Sequence, residues 1–253
     1  KTITGKDTIS CQGFFILKTE VSNLDYKNYL WDLKQNGKIS EYQAAQIDST
    51  KWAANGYSLG KYVQYYHNHP AYHHYPVVNL TREQAEKYCA WLTQIWRKKT
   101  GNETLVLRLP TRAEFLRAAN GSDLVRPYAW SSPYLRRSNG QFQCNFFSIG
   151  AGAISRDPES GKLIVQNIPV DFLTNDGDNA DLTAPVVSFW PNEFGIYNLN
   201  GNVSEMVAEQ NIAVGGDWNS PGYDIRNEST KKFTEANPMI GFRPVMTFVE
   251  VKK

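Results

Sequence analysis

The chain has little of what several function classes require. It carries only Cys11, Cys89 and Cys144, without Cys-x-x-Cys spacing, so neither a cysteine zinc site nor a dense disulfide framework follows. Cys89 falls on the apolar face of an expected helix and reads as a core thiol, while pairing of Cys11 with Cys144 is left open. Net charge is only +2, with residues 97–99 and 136–137 the tight basic runs, so nucleic acid is not an expected partner. No apolar run is long enough to span a membrane. The chain starts at Lys1, not Met, and is expected to be a processed chain whose signal peptide is gone, with a lipid anchor upstream of Lys1 open.

What is present is a globular composition with many interruptions. At 253 residues and 41% hydrophobic, the chain can bury a proper core; 18 glycines and 12 prolines predict many turns and short regular elements. Residues 14–17 read as a strand, and residues 19–23 as the cap of a helix whose stripe is Tyr26, Tyr29, Leu30 and Leu33, ended near Gly37. Residues 38–75 show no sustained period and read as an insertion packed by Trp52, Tyr57, Tyr62, Tyr65 and Tyr66.

Residues 76–80 read as a short strand. Thr81 to Gln84 is a capping box opening a helix with Ala85, Tyr88, Cys89, Leu92 and Ile95 on its face and Gly101 as its stop. Residues 105–109 alternate as a strand, and Thr111 to Glu114 caps a second helix carrying Phe115, Ala118 and Ala119, ended near Gly121. Residues 128–183 are irregular.

Four stretches are candidates for chemistry. All four histidines, His67, His69, His73 and His74, fall within ten residues; neutral imidazole ligates zinc or copper, but Pro70 breaks the spacing and a surface turn is the blander reading. Asn175 to Asp181 groups Asp and Asn around Gly177, as an oxygen-ligand calcium loop does, although not in EF-hand spacing, and a solvated turn has the same composition. Asn198 to Glu205 around Gly201 is a second such turn. Finally, Val214-Gly-Gly-Asp-Trp-Asn-Ser220 with Pro221-Gly222-Tyr223 bends sharply and predicts either a lined groove or a bulged strand with Trp218 in the core.

Several stretches then resemble, in order, the formylglycine-generating enzyme family, also called the sulfatase-modifying factor domain. These are Glu20-Val-Ser-Asn23, Pro76-Val-Val-Asn-Leu-Thr-Arg-Glu-Gln-Ala-Glu-Lys-Tyr-Cys-Ala-Trp-Leu92, Arg108-Leu-Pro-Thr-Arg-Ala-Glu114, Asn192-Glu-Phe-Gly-Ile-Tyr-Asn-Leu-Asn-Gly-Asn-Val-Ser-Glu205, Gly215-Gly-Asp-Trp218 and Gly241-Phe-Arg243. The resemblance implies one mixed α+β domain over residues 1–253, related to C-type lectins and poor in regular structure. It implies two calcium sites: Asn145 and Asp178 with the carbonyls of Phe146 and Ala180, and Asn198 and Glu205 with the carbonyls of Gly201 and Val203.

Active members carry two cysteines that bind copper(I), and the corresponding positions here are Ser220 and Ile225. A soft metal needs thiolates, so no copper and no copper-dependent oxidation are expected. Val214, Asp217 and Met206 depart from the family pattern as well. The three-histidine iron site of related sulfur-transfer enzymes is not matched. Residues 65–78 resemble, within the superfamily, envelope lipoproteins of gliding motility and type IX secretion.

The expected protein is therefore a calcium-stabilised, non-catalytic binding or scaffold module, a pseudoenzyme of the bacterial envelope. It would be exported to the periplasm or outer membrane and take a peptide, glycan or protein in a groove of Asp217, Trp218, Asn219, Ser220 and Tyr223. The alternative is an enzyme with other chemistry, using Asp217 or Asp224 as acid or base. Arg243 is expected to close the core on an acid such as Glu114, and the Asn-x-Ser/Thr sequons at Asn79 and Asn202 do not establish glycosylation.

Overall fold

A computed structural model describes residues 2–4, 7–9, 11–53, 60–123, 125–148, 154–165 and 182–249. Its helices start where side chains satisfy orphan amides. Helix α1 (Asn23–Gln35) opens on Ser22, whose hydroxyl accepts from the Asp25 N–H while the Asp25 carboxylate accepts from the Ser22 N–H. Such a cap contributes about 1 kcal/mol. The stripe of α1 buries Tyr26, Tyr29 and Leu33, with Leu30 half-buried.

The stretch between α1 and the next long helix is short-helical, not featureless. It holds α2 (Ile39–Ala44), a 3-10 turn (Ser49–Trp52), α3 (Gly60–Tyr65) and a second 3-10 turn (Pro70–Tyr72). Trp52, Tyr62 and Tyr66 are buried against one another, with ring centroids 4.7 to 6.3 Å apart, whereas Tyr65 faces solvent. Tyr57 lies outside the described residues. Asn23 ties this segment to α1 by donating to the carbonyls of Tyr66 and Tyr72.

Helix α4 (Arg82–Thr100) uses the Thr81–Gln84 capping box and stops at Gly101, at φ +67. Its buried face is Ala85, Tyr88, Cys89 and Thr93; Ile95, expected on that face, is exposed, because the core ends before the last turns. Strand β4 (Leu105–Arg108) leads to α5 (Arg112–Asn120), capped by Thr111 and Glu114 and burying Phe115, Ala118 and Ala119.

Three strands form one antiparallel sheet, ordered β3 (Phe15–Ile16), β11 (Val245–Phe248), β4, so the two ends of the chain close on its middle. A second sheet runs β10 (Ile240–Gly241), β7 (Ser204–Met206), β8 (Ile212–Val214), β9 (Thr230–Lys232), with β10 parallel to β7 and the others antiparallel. Two hairpins complete the described strands: β1 (Thr2–Thr4) with β2 (Asp7–Ile9), and β5 (Ile154–Arg156) with β6 (Leu163–Val165).

The strand expected over residues 76–80 is absent. Only Pro76 bridges Ser22, and Asn79 turns at φ +61, which a ladder does not accommodate. Val77, Val78 and Leu80 are nevertheless fully buried, so their apolarity reflects burial and not strand pairing.

Candidate functional site

Strand β8 ends at Val214, and the backbone then turns through Gly215 and Gly216 at φ +83 and +69. A side chain at either position has no room. A Cβ on Gly215 would stand 2.5 Å from the Leu199 carbonyl oxygen, and one on Gly216 2.6 Å from the Ile225 side chain. The loop is stitched to the preceding asparagine turn: the Gly201 N–H donates to the Gly215 carbonyl at 2.8 Å, and the Trp218 N–H to the Asn202 carbonyl at 3.0 Å.

This geometry drives the loop's side chains inward. Asp217 has no exposed surface; its carboxylate accepts from Lys231 Nζ at 2.6 Å, Ser204 Oγ at 2.8 Å and the Asn219 N–H at 3.1 Å. Ser220 Oγ accepts from the Asp217 N–H at 3.2 Å. Trp218 is buried among Trp52, Tyr62, Tyr66, Val78 and Val203, and its Nε1 donates to the Pro238 carbonyl at 3.2 Å.

The five residues expected to line one open groove therefore do not. Asp217, Trp218 and Ser220 are inside, Asn219 is half-buried, and Tyr223 is exposed under the Arg226 guanidinium at 3.6 Å. The indole gains more by core burial than by lining a surface, and the Asp217 charge is satisfied by an inward-facing lysine. Lys231 was not singled out from the sequence, although it is the central residue of β9, flanked by exposed Thr230 and Lys232. Asp224, the other candidate acid, is exposed. Ser204 gives its proton to a carboxylate that is already neutralised by Lys231, and among the described residues no imidazole is bonded to it, so it is not set up as a nucleophile.

A second polar cluster lies under the same turn. Arg243, fully buried, sets Nη2 2.6 Å from Glu205 Oε1 and Nε 3.0 Å from both Glu205 oxygens, and it also donates to the carbonyls of Leu17 and Tyr197. Glu20 stands behind, 3.9 Å from Arg243 Nη2, accepting from Asn202 Nδ2 at 2.8 Å and Asn198 Nδ2 at 3.3 Å. The partner expected for Arg243, Glu114, instead takes two 2.8 Å bonds from Arg108 and caps its own helix. Two buried carboxylates thus share one guanidinium. Burial pushes Glu20 up to about 8 against the pull of Arg243, and burial raises Glu205 as well.

The same cluster bears on the expected calcium. Among the described residues no cluster of three His, Cys, Asp or Glu side chains could hold a metal, so carbonyls and amides must complete any site. At the second site Asn198 spends its Nδ2 on Glu20 and the Pro185 carbonyl, which leaves Oδ1 as an acceptor. Glu205 has one oxygen bonded twice by Arg243 and the other once, so it retains a lone pair for one metal bond and not a bidentate grip. With the carbonyls of Gly201 and Val203, these are oxygen donors of the type a hard cation takes, with Glu205 limited to one oxygen.

At the first site Asn145 is buried, its Nδ2 directed to the Leu182 carbonyl and its own carbonyl accepting from the Asn202 N–H. Phe146 is packed against Phe142. Asp178 and Ala180 lie outside the described residues, as does the whole of the 175–181 turn.

The remaining candidates do not gather into a metal site. Cys11, Cys89 and Cys144 are in no disulfide, and burial pushes the Cys89 thiol up to about 12. His67 Nδ1 lies 3.0 Å from Asn23 Oδ1, and burial lowers its pKa to about 3; His69 instead accepts from the Ala71 N–H. Ile225 is fully buried against Gly216, and with Ser220 it supplies no soft donor.

Comparison with known proteins accounts for most of the chain. The family model described as sulfatase-modifying factor enzyme 1-like domain matches residues 2–248. The formylglycine-generating enzyme of Mus musculus is 24% identical over 254 residues, covering 92% of this chain and 55% of the relative. That of Thermomonospora curvata is 30% identical over 135 residues, covering 53% of this chain and 33% of the relative. The chain thus spans about half the length of the first and a third of the second. The crystal structure of CarF superposes with a TM-score of 0.54 at 19% identity, covering 99% of this chain and 94% of its own, and shares the mixed α+β fold.

Proposed function

The chain belongs to the sulfatase-modifying factor enzyme 1-like domain family, and from that premise we propose that it is a non-catalytic binding or scaffold module of the bacterial cell envelope. The observation that carries this reading is the closed state of the loop at residues 214–220. Its carboxylate is neutralised by Lys231, and the two positions that resemble the copper-binding cysteines hold a hydrogen-bonded hydroxyl at Ser220 and a buried alkyl group at Ile225. Neither side chain supplies the thiolate that copper(I) requires.

Calcium would serve as a structural ion. Asn198, Glu205 and the carbonyls of Gly201 and Val203 would hold one ion beside the buried acid pair, and Asn145, Asp178 and the carbonyls of Phe146 and Ala180 the other. The likeness of residues 65–78 to lipoproteins of gliding motility and type IX secretion supports an exported protein in the periplasm or at the outer membrane. No described helix is long and apolar enough to cross a membrane. The partner would be a peptide, a glycan or another envelope protein.

The test is oxygen consumption by the purified chain with a cysteine-bearing sulfatase-type peptide, with and without copper(I). No copper-dependent turnover is expected. Turnover abolished by Ser220→Ala would overturn the reading.

A further inference from the structure

A cavity of about 290 Å³ opens between the loop after α5 and the turn at residues 190–200, and none of its lining residues belongs to the 214–220 loop. Two indoles, Trp130 and Trp190, stand in its wall. Trp130 is held rigidly: Tyr128 stacks on it with centroids 4.7 Å apart and planes 8° from parallel, and its Nε1 donates to the Tyr134 carbonyl at 2.9 Å. Trp190 is half-exposed, at 42%, under the Arg137 guanidinium, which sits 4.0 Å from the ring centre. Rigid, part-exposed aromatic faces present π surface to a ligand at low entropic cost.

The charges of the cavity select among ligands. Arg126 is neutralised by ion pairs to Asp123 and Glu193. Arg137 has no carboxylate partner among the described residues, so the lining offers one cation without an acid, held over the Trp190 ring. Gln143, also in the lining, spends its Nε2 on the Tyr134 carbonyl and keeps Oε1 as an acceptor. The size is that of a small ring and falls short of a nucleotide or a folded peptide.

We propose that this cavity binds a monoanionic sugar of the uronic acid class. The C–H face of its pyranose ring would lie on an indole face not covered by Tyr128 or Arg137, its carboxylate would take the Arg137 fork, and a hydroxyl would donate to Gln143 Oε1. An aromatic carboxylate would satisfy Arg137 but leave the Gln143 oxygen without a donor, and a neutral sugar would leave Arg137 unpaired. The assignment stands independently of the function proposed above, because a scaffold or an enzyme alike would carry it.

The probe is D-glucuronate, titrated into the intact chain by calorimetry and by NMR of the indole N–H signals, with glucose, benzoate and acetate beside it. Arg137 and Trp190 are exposed, so Arg137→Ala and Trp190→Ala are expected to fold normally, as circular dichroism would confirm. The expected result is saturable glucuronate binding, weakened at least about tenfold in each variant and about tenfold weaker for glucose and benzoate. No binding at about 20 mM glucuronate overturns the proposal, that concentration being well above weak lectin-like affinities. So does glucose binding equal to glucuronate with Arg137→Ala silent, or acetate or benzoate competing on equal terms, which would mean a generic anion or aromatic-acid site.

Discussion

Arg243 meets Glu205 across the parallel β7–β10 pairing, Nη2 to Oε1 at 2.6 Å, with both side chains buried. The pairing joins residues 38 apart in sequence and leaves Glu20, 3.9 Å away, as a second acid with a share in the same cation. A buried charge pair is weak evidence of net stability, but removing one partner strands the other in a dry interior.

Arg243→Met is therefore expected to destabilise by about 3–5 kcal/mol, since Glu205 is left buried without the one cation bonded to it among the described residues. For a chain of this size that is a fall in melting temperature of roughly 10 °C. Glu20→Gln is expected to be nearly silent at neutral pH, because burial already favours its protonated form. Chemical denaturation of both variants is the check; an equal loss for Glu20→Gln would mean that Glu20 is ionised in the fold, and no loss for Arg243→Met would mean that Glu205 does not depend on Arg243.

Calcium is expected to raise the melting temperature in a saturable way, and a chelator to lower it. At a hundredfold excess over Kd a native-state ligand adds about 2.7 kcal/mol. Asn198→Ala should remove the larger part of that gain, since it deletes the one side-chain amide oxygen assigned to the second site. A calcium response unchanged in Asn198→Ala would remove the site from residues 198–205.

His67 is lowered from 6.5 to about 3 by burial first and by Lys27 second. A depressed histidine contributes stability that is present above 6.5 and lost as pH falls toward 3, because the unfolded chain binds the proton that the folded one refuses. Denaturation midpoints between pH 7 and 4, in the presence of chelator, should fall more steeply for the wild type than for His67→Gln. Parallel curves would show that His67 takes up its proton without unfolding.

Gly216→Ala is expected to be severely destabilising and Gly37→Ala mild, although both glycines have φ near +70. The difference is space: nothing lies within 4 Å of a Cβ on Gly37, whereas one on Gly216 would stand 2.7 Å from the Ile225 Cα. Backbone strain alone is worth about 1 kcal/mol. Similar melting temperatures for the two variants would contradict the close approach of the 216 and 225 backbones.

Lys231→Met is expected to cost roughly 1–3 kcal/mol, since Asp217 stays buried with two neutral donors and no cation. The double variant Asp217→Asn with Lys231→Met should recover part of the loss. Additive effects in that cycle would mean that the two side chains do not interact in solution.

Much of the fold was legible because it is local. The capping boxes at Thr81 and Thr111 and the stop at Gly101 depend on residues within one turn of each other. The stripes of α1 and α4 follow from helical periodicity, and the double glycine announced positive φ. Residues 76–80 misled because an apolar run reports burial and says nothing about hydrogen-bond partners.

The sequence by itself determined the family, the mixed α+β class and the places where the backbone must bend, since these rest on short motifs and on glycines that no other residue replaces. Only the tertiary structure decided which acid Arg243 meets, that Asp217 turns inward to Lys231, and that Trp218 is core and not groove wall. The reason is physical. A buried charge must be paired, and its partner is whichever opposite charge the packing of distant strands brings within a few ångströms, a choice that no local pattern records.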